Sequence, residues 1–147
     1  CTNAANHFAR MTQDVNTTSA STITLTFWWL CGGSASNYGE VYYSTNSGSS
    51  WTLVTTPISQ YSNQANWVQQ TITDPSFAGH ATLRFGFRFV NNTTLSATDP
   101  AFRFDSFQQY NNRNYRSCFV LPRNRAQRAL YGKWYIHSRQ FIHCRTF

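Results

Sequence analysis

Chemistry in this chain must be drawn from a small stock of reactive side chains. Its 147 residues hold five carboxylates, four histidines, four cysteines and a single lysine. Glu40 and Asp105 are the carboxylates that could approach each other across a sheet. Hydrolysis of a glycosidic bond needs two facing carboxyl groups with separated pKa values. The plainer expectation is that each is satisfied by hydrogen bonds or a neighbouring arginine, and that the chain is not an enzyme. No Ser/His/Asp spacing, glycine-rich phosphate loop or His-Glu-x-x-His metal motif is present. A structural calcium would have to use Glu40, Asp99 and Asp105, because calcium takes oxygen ligands; no other cofactor is expected. Cys1, Cys31, Cys118 and Cys144 include no Cys-x-x-Cys pair, which argues against zinc. Cys1 and Cys31 could form a disulfide in an oxidising compartment. Flat aromatic rings are a more abundant resource, at 17% of residues. Tyr38, Tyr42 and Tyr61 are the rings expected to remain available to stack on a ligand, whereas Trp29 and Trp51 are expected in the core.

These side chains must be held by strands. Residues 22–30 alternate Ile23, Leu25, Phe27 and Trp29 against Thr22, Thr24, Thr26 and Trp28, a period of two that makes one face apolar. Residues 81–90 place Leu83, Phe85, Phe87 and Phe89 on one face and Arg84, Gly86 and Arg88 on the other. Shorter strands are expected over 40–44, 51–55, 67–72 and 101–107. Clusters of Gly, Asn, Ser and Pro separate them, and no segment before residue 107 has a helical period. Many short strands with regular turns predict an all-β, antiparallel β-sandwich. No apolar run reaches 18 residues, so no membrane insertion is expected.

The net charge of +7 is unevenly spread. Residues 1–105 hold four arginines and all five carboxylates; residues 106–147 hold eight basic residues and no acidic one. A basic chain raises nucleic acid as a partner, but only through this tail. The expected organisation is therefore a sandwich over 1–107 and an irregular basic tail over 108–147.

One hairpin has a specific signature. Ser44, Asn46, Gly48 and Trp51, within the run Ser44-Thr45-Asn46-Ser47-Gly48-Ser49-Ser50-Trp51, resemble the Asp-box, with Asn46 in place of its Asp and Ser50 in place of its Thr. An Asx side chain bonds the turn backbone, a glycine takes positive φ, and a tryptophan covers the turn. Sialidases repeat such boxes and add an arginine cluster. Here there is one box, read as a structural hairpin.

The resemblance extends further. The strand Ile23-Thr24-Leu25-Thr26-Phe27-Trp28-Trp29-Leu30 is followed by Gly39-Glu40-Val41-Tyr42-Tyr43-Ser44, running into the box. Trp67 comes next, then Asp74-Pro75-Ser76-Phe77-Ala78-Gly79 ahead of Leu83-Arg84-Phe85-Gly86-Phe87. Phe102-Arg103-Phe104-Asp105-Ser106-Phe107 closes the series. Together these resemble the MAM-like jelly-roll domains (concanavalin-like β-sandwiches) of Bacteroidota-type bacteria, found in secreted and surface proteins that include type IX secretion cargo. The match spans roughly residues 8–107. One departure is Ser106, where that family often has a second Asp, which weakens a metal role there.

The tail has a different explanation. Back-translated and read one base later, the codons from Leu130 onward permit an alternating segment with an Asn-Gly turn, a hairpin signature. That segment resembles the Ig-like modules that follow such jelly rolls. The expectation is a frameshift between about Phe107 and Cys118, under which Cys118, Cys144, His137 and His143 carry no selected chemistry and the basic pI is accidental.

The resemblance implies a non-catalytic, extracellular or cell-surface module of a larger bacterial protein, serving adhesion, spacing or weak glycan or protein binding. Its partners would be other modules of the same parent chain, a glycan or a surface protein. Two other functions compete: an accessory carbohydrate-binding domain of a hydrolase, and a nucleic-acid-binding protein acting through the tail.

Overall fold

The computed structural model describes residues 5–33, 36–91, 100–111, 114–120 and 142–146, with side chains for residues 6–33, 36–91 and 100–111. It is the expected all-β sandwich. Among the described residues nine strands run in the order β1 (Ala5–Arg10), β2 (Thr22–Cys31), β3 (Asn37–Ser44), β4 (Thr52–Leu53), β5 (Gln64–Thr73), β6 (Arg84–Asn91), β7 (Ala101–Asn111), β8 (Asn114–Val120) and β9 (Ile142–Thr146). One antiparallel sheet has the order β1-β6-β3-β4 and the other β5-β2-β7-β8-β9. Strands β8 and β9 extend the second sheet out of the region that composition marks as an irregular tail. No helix among the described residues is long and apolar enough to cross a membrane.

Strand β2 is the spine of the core. Its burial alternates through all ten residues, with Ile23, Leu25, Phe27, Trp29 and Cys31 inside. Each fully buried aliphatic or Phe side chain contributes about 1.5–3 kcal/mol of transfer free energy. Opposite them, the four-stranded sheet and the turn before it supply Val41, Leu83, Phe85 and Phe77. Aromatic rings meet mostly edge to face, as their quadrupoles favour. Phe77 lies 5.0 Å from Phe85 and 5.2 Å from Tyr43 between centroids.

Strand β7 departs from a strict period of two. Phe27 pairs with Phe104 while Thr26 pairs with Ser106, so Asp105 is an extra residue in the ladder. This bulge explains how Phe104 and Phe107, three residues apart, both pack on the core. An extra residue shifts the alternation by one position.

The segment after β1 is fastened by Thr17, which is fully buried. Its hydroxyl lies 3.0 Å from the carbonyls of Phe77 and His80 and accepts the His80 N–H at 3.0 Å. A 3-10 turn over Pro75–Phe77 is capped by Asp74, whose carboxylate accepts the Ser76 N–H at 2.8 Å. This turn aims Phe77 into the core.

Candidate functional site

The outer face of the four-stranded sheet gathers the chemistry. Antiparallel register sets Phe8 of β1, Arg88 of β6 and Glu40 of β3 side by side in one row. The adjoining row is Arg10, Gly86 and Tyr42. Gly86 is a floor: a Cβ there would lie 2.8 Å from the Phe8 ring and 3.0 Å from Trp51. With no side chain in the way, Phe8 packs edge to face on Trp51 at 4.9 Å and on Tyr42 at 5.4 Å. Phe8 is still 38% exposed. Beside it lies an open depression of about 280 Å³, lined by Asn6, His7, Phe8, Tyr42, Trp51 and Arg88.

Trp51 reaches this face because of the box hairpin. Ser44 Oγ accepts the Gly48 N–H at 2.9 Å, and Asn46 Oδ1 accepts the Ser50 N–H at 2.9 Å. Asn46 Nδ2 donates to Ser50 Oγ at 2.7 Å, so both substitutions in the box keep a working bond. Gly48 has φ +84°, which a side chain would strain, and Trp51 Nε1 donates to its carbonyl at 3.1 Å. Trp51 covers the turn as expected. Its place in the core is corrected: it is half-buried on the outward side, against Phe8.

Glu40 is the unusual residue. It faces outward, yet its side chain is only 8% exposed. Tyr42 donates its hydroxyl to Glu40 Oε2 at 2.9 Å, and Arg88 Nη1 lies 3.4 Å from the same oxygen. Arg88 Nη1 also lies 3.4 Å from the Tyr42 hydroxyl. Burial, more than the nearby charges, pushes the Tyr42 phenol above its ordinary value. The hydrogen bond to Tyr42 is the main influence that raises Arg88. A second pair lies nearby: Arg84 Nε bonds Asp14 at 2.5 Å, and Ser47 donates to the same carboxylate at 2.8 Å. Those two bonds, Arg84's first, hold the Asp14 carboxyl below its usual range.

The residues singled out from the sequence fare differently. Tyr38 and Tyr42 share the outer face with Glu40, and both are partly exposed. Tyr61 is corrected as a ligand-stacking ring, because it is fully buried. Its backbone exchanges two hydrogen bonds with Gly39, and its ring packs on Trp29 at 4.9 Å. Burial pushes its phenol far up. The pairing of Glu40 with Asp105 is also corrected. They lie in opposite sheets, and Asp105 instead accepts from Gln69 Nε2 at 3.1 Å. The same separation dissolves the calcium set, whose third member, Asp99, lies outside the described residues. Among the described residues, no three His, Cys, Asp or Glu side chains could hold a metal together. Cys31 is buried with its Sγ 3.2 Å from the Asn37 carbonyl, while Cys1 lies outside the described residues.

Sequence reasoning missed Phe8 and the part played by Arg88. Phe8 sits in a strand too short to show a period. The usable signal was Gly86, a lone gap among the bulky residues of β6. No family model matches this chain, and the comparison with curated proteins finds no relative.

Proposed function

We propose that this chain is a non-catalytic, extracellular module of a larger bacterial surface or secreted protein, and that it binds glycan weakly. The observation that carries this reading is the open depression formed by Phe8, Tyr42, Trp51 and Arg88 on the outer face of the four-stranded sheet. Aromatic edges and faces offer apolar contact to the C–H face of a sugar ring, and adjacent polar groups fix its orientation. An open depression buries little of a ligand, so the affinity belongs in the weak range. A binding role rather than a hydrolytic one is supported by the separation of Glu40 from Asp105 and by the bonds that already occupy Glu40.

The test is a glycan array probed with the full chain, followed by NMR titration of any oligosaccharide retained. Binding is expected, and Phe8→Ala should weaken it at least fivefold while leaving the fold intact. An array without a single ligand, or turnover of a chromogenic glycoside, would overturn the reading.

A further inference from the structure

We propose that the sugar taken by this depression is acidic, a uronic acid whose carboxylate is received by Arg88; this rests on the glycan-binding reading above. The first ground is Glu40. Holding a carboxylate out of water costs several kcal/mol, and a partnered charge recovers only part of it. A strand can fill an outward position with threonine, as β2 does, at no such cost. Glu40 has a definite effect instead: with the Tyr42 hydroxyl, it fixes one corner of the Arg88 guanidinium.

The second ground is what remains of that guanidinium. Only Nη1 is engaged; Nε and Nη2 make no hydrogen bond among the described residues, and the side chain is 38% exposed at the depression's wall. A planar fork with its other nitrogens open matches a carboxylate in bidentate geometry. The third ground is charge. Arg84 is taken by Asp14 and Arg88 is shared with Glu40, while Arg10 has no ion-pair partner among the described residues. Arg10 stands in the row next to Arg88, across Gly86. Among the described residues the face therefore keeps an excess positive charge beside its aromatic rings. Glu40 is a positioning residue here, since Tyr42 and Arg88 cover it from the ligand.

The experiment is calorimetric titration of the full chain with trigalacturonate, its methyl ester, neutral galactotriose and acetate. Trigalacturonate is expected to bind about tenfold more tightly than the ester, the worth of one charge-assisted bond. Added salt should shrink that preference. The basic tail attracts any anion, so the decisive comparison is with Arg88→Gln. This variant, and the double variant Glu40→Gln/Arg88→Gln should the single one unfold, must lose the preference for acid over ester. Glu40→Gln alone should reduce the preference without abolishing binding. Equal binding of acid and ester would overturn the acidic-sugar proposal and leave glycan binding standing. A preference that survives in the Arg88 variants assigns it to the tail and overturns the proposal, as would acetate matching trigalacturonate. Binding of none of the four would overturn the proposal and, with an empty glycan array, the reading beneath it.

Discussion

The two outer faces of this sandwich are written with the same alternation and end with opposite characters. On the five-stranded sheet, Thr24 and Thr26 of β2 meet Thr73 and Thr71 of β5, with hydroxyls 2.9 and 3.5 Å apart. Trp28 lies under Arg103 at 5.7 Å, and Gln69 bonds Asp105. These are short, mutually satisfied cross-strand pairs of the kind that stabilises a sheet by a few tenths of a kcal/mol each. On the four-stranded sheet, the outward positions hold aromatics and charges of several lengths, and a glycine leaves a gap among them. That face encloses a carboxylate and leaves a guanidinium partly unused. The contrast teaches that alternation decides which residues face outward. What they do there depends on the partner delivered from another strand.

A second contrast lies at the edges. Strand β4 is only two residues long, and β1 carries Arg10; both are ordinary ways to blunt an edge. Strand β5 has ten residues without a charge or a proline, and it exposes Trp67 (45%) and Val68 (39%).

Phe27→Ala removes a ring shared by both sheets, and chemical denaturation should register a loss of about 3–5 kcal/mol. A smaller loss would mean that the core is not common to the two faces. Arg88→Met should come next, at about 1–3 kcal/mol, because it strands the Glu40 carboxylate without its cation. Adding Glu40→Gln should recover part of that loss; a double variant no more stable than the single one would show that the pair is not coupled.

Acid titration separates the faces more gently. Asp14 has a lowered pKa in the folded state, so its contribution is complete above its unfolded value near 3.8 and is lost as pH falls through the lowered value. Stability of the parent chain should therefore fall more steeply below about pH 4 than that of Asp14→Asn, and parallel curves would remove this role for Arg84. The smallest effect is expected on the threonine face. Thr24→Val should alter stability by no more than about 0.5 kcal/mol, since it trades a solvent-exposed hydroxyl pair for another β-branched side chain. A change above 1 kcal/mol would show that the hydroxyl ladder is more than surface.

Much of the fold was legible because period two is a local property. The alternation of residues 22–30 and 81–90 named Ile23, Leu25, Phe27, Leu83 and Phe85 as core without knowledge of their neighbours. The box hairpin was legible for the same reason, since the bonds that close its turn fall within eight residues. Strand β1 was not, because six residues with one large apolar side chain carry no periodic signal. The bulge at Asp105 was hidden in the spacing of Phe104 and Phe107, which fits a strand only when one residue is left over. Tyr61 was misread because a polar, turn-rich neighbourhood suggests exposure. A single bridge to Gly39 instead draws its ring inside.

The sequence alone determined that this protein is built of antiparallel strands, which side chains of its longest alternating runs face the core, and where one hairpin must turn. Those follow from backbone geometry and from apolar surface leaving water, and each is written in consecutive residues. Only the tertiary structure decided that Glu40 is buried, that Arg88, 48 positions away, is its partner, and that Phe8 closes over Gly86 beside them. Strand register brought these groups together, and register is fixed by the packing of the whole core rather than by any segment within it.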